Sequence, residues 1–432
     1  MQIPELYKLY LQYPSIQTDS RKLKKNDLFF ALKGPHFNGN LFATQAIADG
    51  AAYAIVDEEM KELNDRIISV DNVLNTLQEL AGYHRRQFTL SPGKKQVPFI
   101  AITGSNGKTT SKELVHAVLS STYKTYTTEG NLNNHIGIPL TILKVKPDAE
   151  IAIIEMGANH QKEIEAYCTY AMPTHGVITN CGKAHLEGFG DEEGIRKGKG
   201  ELYDYLRANN GTAFVMWDYE YLQQMSKGIE YIITYGTHSA SVVGMVKNSS
   251  GLLEVSISKG ADMDIIKTKL VGEYNLPNIL MAVAIGKYFN VPGEKIKSAL
   301  ENYTPSNSRS QLIEKNGNKI ILDGYNANPS SMQAAIENFA KMEGEDKMLM
   351  LGGMMELGKE SLSEHQALVE LIKKYPWKNV VLVGGDFNKI SHGYLNFENS
   401  LQAREWFYNQ KISGATILIK GSRSTQMEKV LE

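Results

Sequence analysis

The chain has 432 residues, a length that suggests about three domains, each able to hold its own core. Its 46 Lys and Arg against 48 Asp and Glu leave a net charge of −2, so no bulk field draws it to nucleic acid or anionic lipid. Any anionic ligand must be met by local groups. Two cysteines, Cys168 and Cys181, without CxxC spacing, fit a reducing compartment and argue against a zinc site. No apolar run approaches the ~20 residues that span a bilayer, and the amino-terminal MQIPELYKLY lacks a signal-peptide core. A soluble, cytoplasmic protein is expected.

From residue 1 to about 90 the pattern predicts a small α/β domain. Strands are expected at Asp27–Leu32 and Ala51–Val56, with a helix from Leu41 to Ala48. Thr18-Asp19-Ser20-Arg21 and Lys33-Gly34-Pro35-His36-Phe37-Asn38-Gly39 fall on loops, and Ser91-Pro92-Gly93-Lys94-Lys95 reads as a linker.

The chain is organised around residues 99 to 119. Phe99–Thr103 is a short apolar run, hence a buried strand; Gly104-Ser105-Asn106-Gly107-Lys108-Thr109-Thr110 interrupts it. Leu114, Val115, Val118 and Leu119 then recur at helical spacing. Strand, glycine turn and helix in that order make a phosphate-binding loop. The glycines let backbone N–H groups turn inward, and the helix adds its positive dipole end. Lys108 can neutralise a terminal phosphate and Thr109 can hold Mg²⁺. The usual pattern's first glycine falls at Ile102.

Asn131-Leu132-Asn133-Asn134 reads either as a turn or as a set of amide hydrogen bonders. Ile151–Glu155 delivers one carboxylate at a strand end. There it either faces a ligand crevice, where it can hold Mg²⁺, or closes a salt bridge. Gly176–Asn180 predicts another strand, and beyond it His185 sits in a glycine-bounded loop. Arg196-Lys197-Gly198-Lys199-Gly200-Glu201 reads by default as a solvated basic face. From Gly211 to about Val271, short alternating segments predict a β-rich subregion. Asn275 and Asn278, before a helix expected at Ile279–Tyr288, are either caps or readers of a purine edge.

Tyr303-Thr304-Pro305-Ser306-Asn307 reads as a second linker. After it, strands expected at Lys319–Asp323, Met348–Gly352, Val380–Gly384 and Thr416–Gly421 alternate with helices, so a second open α/β sheet follows. The predicted fold is α/β in three domains: a small N-terminal α/β domain (1–90), a central P-loop nucleotide-binding domain with a mostly parallel sheet (91–305), and a C-terminal Rossmann-like domain (306–432).

Taken together these stretches closely resemble the Mur ligases. The likeness rests on TDSR and LFFALKG, then TGSNGKTT, EGNLNNHIGIPLT, IEMGANH, AHLEGFG and KGKGE, then DGYNANPSSM, MMELG and IKGSRS. The family joins an amine to a nucleotide-linked peptide carboxylate, using ATP to make an acyl phosphate first. The resemblance implies ATP and Mg²⁺, with Lys108, His185 and Lys199 as catalytic groups. It assigns the metal to Thr109, Glu155, His185 and Lys199, with Lys199, rather than Lys197, carbamylated by CO₂. It implies ATP contacts from Gly104, Ser105, Asn106, Gly107, Lys108, Thr109, Thr110, Asn278, Arg309 and Asp323. Ser20 and Arg21 are implied at the uridine diphosphate end, Asn133 and Asn134 near the muramoyl peptide, and Tyr325, Asn326 and Asn328 near the incoming dipeptide. The implied partners are UDP-N-acetylmuramoyl-tripeptide and D-alanyl-D-alanine, met by a monomer. Two positions depart from the family pattern: Gly353 stands where an aspartate is common, and Tyr274 where relatives often carry histidine.

Addition of a third amino acid usually goes with an Asp-Asn-Pro-Arg stretch, which is missing; YNANP points to dipeptide addition instead. A guanine-nucleotide switch would show Asn-Lys-x-Asp, and Asn388-Lys389-Ile390-Ser391 lacks the aspartate. The three domains are expected to close on one another, because no single segment carries both nucleotide and acceptor contacts.

Overall fold

The structure, a computed structural model, describes residues 1–60, 64–89, 96–306, 308–344 and 346–432. The linker expected at Ser91–Lys95 lies outside the described residues, as does Asn307 of the second. The architecture is three-domain α/β, with one main sheet in each predicted segment. The first has the order Ile16–Gln17, Leu28–Phe30, Tyr53–Val56, Ile67–Ser69, every pair parallel. Leu28, Phe29, Phe30, Ala54, Ile55 and Val56 are all buried, as short apolar runs covered on both faces must be.

The central sheet has nine strands. In order they are Ile265–Val271, Leu252–Lys259, Val242–Asn248, Tyr231–Gly236, Thr212–Met216, His175–Ile178, Phe99–Thr103, Ile151–Glu155 and Thr125–Thr127. The β-rich subregion supplies its antiparallel end, where Val242–Asn248, Leu252–Lys259 and Ile265–Val271 pair as a meander. The third sheet has the order Gln311–Lys315, Asn318–Asp323, Thr416–Lys420, Met348–Gly352, Asn379–Val383, Leu395–Phe397. All its pairs are parallel except the edge hairpin Gln311–Lys315 with Asn318–Asp323. Helices Pro329–Lys341, Ser361–Ile372 and Ser400–Asn409 alternate with these strands, as βαβ units require.

The three main sheets are grouped into two compact units. One comprises Met1–Ala101, Lys124–Gly157 and Glu163–His175; the other Ile102–Tyr123, Ala158–Lys162 and Gly176–Glu432. The C-terminal sheet thus shares a unit with the phosphate loop. The second predicted linker is tied down at its start: Tyr303 Oη donates to Glu113 Oε2 at 2.5 Å, on the helix that follows the loop.

Local expectations shift in instructive ways. The stretch expected as a solvated basic face lies inside the helix Glu192–Ala208, which Asp191 caps through Gly194 N–H. One face of that helix buries Ile195, Lys199, Leu202 and Leu206, while Lys197 stays outside. Among the described residues, no helix is long and apolar enough to cross a membrane.

Candidate active site

All five residues of Phe99–Thr103 are buried, so Gly104 is presented at the end of a rigid strand. Gly104 has φ +140°, and a Cβ there would stand 2.0 Å from Thr179 Oγ1. Gly107 has φ +78°, and its Cβ would stand 2.8 Å from Asn278 Oδ1. A side chain is strained by the backbone at both positions, and at Gly104 it would also meet the backbone of Thr179 and Asn180. The helix Lys108–Ser120 starts directly after Gly107.

Lys108 folds back over the loop, donating to Gly104 O at 2.7 Å and Ser105 O at 3.2 Å. Two of the loop's N–H groups already have partners: Ser105 donates to Asn180 O at 2.9 Å, and Asn106 to Asn180 Oδ1 at 3.1 Å. Thr179 Oγ1 donates to Asn106 O at 2.6 Å and Ser105 Oγ to Gly182 O at 2.7 Å. Thr179 and Asn180 are thus the brace of the loop, which sequence reading missed. Their only signal was a polar pair at the end of a strand. Thr109 is buried on the first turn of the helix, and Thr110 is half-buried beside it.

Asn278 caps nothing. It is buried at 5% exposure, accepts from Ser111 Oγ at 3.0 Å and donates to Asn275 Oδ1 at 3.0 Å. Asn275 Nδ2 donates to Val271 O at 2.9 Å, so neither amide caps the helix that begins at Leu276. This pair holds the underside of the loop at Gly107.

The DGYNANPSSM segment reaches the same loop. Asn328 Nδ2 donates to Asn106 Oδ1 at 2.7 Å, while Asn106 Nδ2 donates to Ser330 Oγ at 2.9 Å. Asn328 Oδ1 accepts from Ser331 N–H at 2.9 Å and so caps the helix Pro329–Lys341. Asn326 is exposed and its Oδ1 accepts from Ala327 N–H. Two guanidinium groups approach the Tyr325 ring: Arg309 stands 3.5 Å and Arg423 5.0 Å from its centre. Asp323 pairs with the buried Lys420 at 2.6 Å and accepts from Ser310 N–H at 3.3 Å. Tyr274, the departure from the family's histidine, is hydrogen-bonded to Ser310 Oγ at 3.2 Å, and burial raises its phenol above the usual range.

His185 follows Ala184 in left-handed backbone, φ +53°, an uncommon state for a non-glycine residue and one that clusters at working sites. Its Nδ1 pairs with Glu356 Oε2. The His185 imidazole against it, helped by the charge of Lys108, holds the Glu356 carboxyl below its usual range. Lys199 is 1% exposed, donates to Ala158 O at 2.9 Å, and lies 4.9 Å from the centre of the Phe189 ring. Lys197 instead pairs with Glu193 one helical turn away at 2.8 Å, its side chain 64% exposed. Only Lys199 of the two occupies an interior position.

In the other unit, Glu155 is buried at the end of its strand and accepts from Asn133 Nδ2 at 2.7 Å. Asn134 is the turn former: its Oδ1 accepts from Ile136 and Gly137 N–H. Arg21 grips Asp19 through two 2.8 Å bonds and holds its carboxyl down to about 2. Ser20 opens the same short 3₁₀ turn. Nearby in sequence, buried Asn40 ties the loop after Gly39 to Asp57 by two bonds, 2.9 and 3.0 Å.

Among the described residues no group of three or more His, Cys, Asp or Glu converges as a metal set. Mg²⁺ keeps several waters and takes one or two carboxylates with substrate phosphates, and the expected donors are a hydroxyl (Thr109), a carboxylate (Glu155) and an imidazole.

Three family models match in chain order: "Mur ligase family, catalytic domain" at residues 12–85, "Mur ligase middle domain" at 102–286, and "Mur ligase, glutamate ligase domain" at 308–423. The UDP-N-acetylmuramoyl-tripeptide–D-alanyl-D-alanine ligase of Bacillus subtilis is 34% identical over 96% of this chain and 92% of that protein. A crystal structure of MurF from Acinetobacter baumannii superposes with a TM-score of 0.87 at 30% identity, covering 96% of this chain and 92% of that one. The MurF ligase of Thermotoga maritima in complex with ADP superposes with a TM-score of 0.85 at 26% identity, covering 98% and 97%. With a phosphate loop braced from both sides and relatives matched along nearly its whole length, the chain belongs to the Mur ligase family.

Proposed function

We propose that this chain is an ATP-dependent ligase that adds D-alanyl-D-alanine to UDP-N-acetylmuramoyl-tripeptide in peptidoglycan precursor synthesis, acting as a monomer in the cytoplasm. The observation that carries the reading is the match, over 96% of the chain, to a relative named for that reaction.

The chemistry explains the parts. A carboxylate is a poor electrophile, so one of its oxygens first attacks the γ-phosphorus of ATP, and the bond from that phosphorus to the ADP oxygen breaks. The dipeptide amine then attacks the acyl carbon, the bond to phosphate breaks, and the amine loses a proton. Lys108, freed from Gly104 and Ser105 carbonyls, neutralises charge on the transferring group. Arg309 and Asp323 meet ATP from the C-terminal segment, and Asn278 meets its base. Residues 1–90 hold the uridine diphosphate end through Ser20 and Arg21, with 91–305 and 306–432 as the other two domains. Asn133 and Asn134 serve the muramoyl peptide; Tyr325, Asn326 and Asn328 serve the dipeptide.

Mg²⁺, held by Thr109, Glu155, His185 and Lys199, would screen the repulsion between phosphate and acceptor carboxylate. Lys199 joins that set as a carbamate, its neutral amine adding CO₂ and losing a proton, because an ammonium would repel the cation. Its burial, against the exposed and Glu193-paired Lys197, supports the choice.

The test is phosphate release from ATP with UDP-muramoyl tripeptides, with and without D-alanyl-D-alanine. Sustained release requiring both substrates is expected. Release that proceeds equally without the dipeptide would make the protein a nucleotide switch instead.

A further inference from the structure

The MMELG segment has a place in the fold but no task in the scheme above. It runs between the strand Met348–Gly352 and the helix Ser361–Ile372 and crosses to the His185 loop. His365, fully buried, pins its root: Nε2 accepts from Met354 N–H at 3.0 Å, and Nδ1 bonds Ser361 O at 2.7 Å. Leu357 is buried, and Glu187 N–H donates to Glu356 O at 3.1 Å. At the tip, Glu356 takes up left-handed backbone, φ +62°, opposite His185 at φ +53°. Two uncommon backbone states thus meet at one imidazole–carboxylate contact.

We propose that Glu356 is a positioning residue for His185, supplied by the C-terminal segment to complete the metal site. Glu356 Oε2 and His185 Nδ1 stand in contact, and because a carboxylate only accepts, any hydrogen shared between them belongs to the imidazole. In neutral histidine that fixes the tautomer and leaves the lone pair on Nε2. Imidazoles that hold metals commonly donate their other N–H to a carboxylate, and removal of that partner typically costs about 10–100-fold in metal affinity. Because Glu356 lies on the far side of the chain from His185 in sequence, docking of the C-terminal segment and readiness of the imidazole become one event. A bare docking contact would need neither the carboxylate nor the tautomer.

This inference rests on the proposed metal role of His185, and the experiment separates the two. Mn²⁺ binding in the presence of ADP is titrated by electron paramagnetic resonance in wild type, Glu356→Ala, Glu356→Gln and His185→Ala. Glu356→Ala is expected to weaken Mn²⁺ about 10–100-fold. Glu356→Gln, whose amide oxygen still accepts, should keep most of the affinity. Loss in His185→Ala with none in Glu356→Ala overturns the positioning role and leaves the metal role standing. Full affinity in His185→Ala overturns both. Imidazole ¹⁵N shifts of the wild type give a reading free of any folding defect: an Nδ1–H tautomer is expected, and an Nε2–H tautomer refutes the proposal.

Discussion

Asn328 offers the sharpest test of how the C-terminal segment grips the phosphate loop. Its amide does two separable things: the oxygen caps the helix Pro329–Lys341, and the nitrogen donates to Asn106 at 2.7 Å. Losing the cap costs about 1 kcal/mol. Losing a neutral hydrogen bond costs about another 1 kcal/mol. Asn328→Ala should therefore destabilise by about 2 kcal/mol. Asn328→Ser, which still caps but is too short to reach Asn106, should lose only about half of that. Urea unfolding midpoints measure both. If the grip orders the loop for nucleotide, Asn328→Ser and Asn106→Ala should each weaken ADP about fivefold by calorimetry, the equivalent of ~1 kcal/mol. The double variant should be little worse than Asn106→Ala, which already removes the shared bond together with its own bond to Ser330. Multiplying losses in the double variant would refute the coupling. A rise confined to the KM for D-alanyl-D-alanine would instead place Asn328 on the dipeptide, as the family resemblance implied.

Gly107→Ala should impair nucleotide binding more than folding, because the new methyl must push Asn278 from 2.8 Å at φ +78°; ADP affinity beside an unchanged circular-dichroism spectrum checks this. His175 is pulled by burial from its ordinary 6.5 to about 4. The unfolded chain takes up that proton first, so stability present above pH ~6.5 is lost as pH falls towards 4, by up to about 3 kcal/mol. His175→Gln should flatten that part of the stability profile between pH 8 and 4, and an unchanged slope would assign the loss to other groups. For Lys199, intact mass measured under CO₂-preserving conditions should show the added carboxyl, absent from Lys199→Met; a bare amine in fully active enzyme would remove it from the metal set.

The strand, glycine turn and helix at Phe99–Ser120 were legible because each is coded locally, by an apolar run, two glycines and a helical period. The same holds for the alternating strands of the third sheet. Lys199 was not legible from local pattern: among Arg196, Lys197 and Lys199 only the helix phase decides which side chain turns inward, and glycines at 198 and 200 blur that phase. The brace from Thr179 and Asn180 and the Asn106–Asn328 bond join residues far apart in the chain, so no window of sequence contains them. Asn278 shows the converse. Its position before a helix suggested a cap or a base reader, and the structure removes the cap: the amide lies against Gly107, bonded to Ser111 and Asn275.

The anchoring of Tyr303 to Glu113 has a mechanical side. The last turn before the third sheet is bolted to the helix that carries Lys108 and Thr109, so a swing of that sheet must pivot beyond residue 303, close to Arg309. For any rotation about that point, a residue as near to it as Arg309 would travel less than the far edge of the sheet. Under the proposed role of Arg309 at the ATP phosphates, that contact would be the one least disturbed by such a swing.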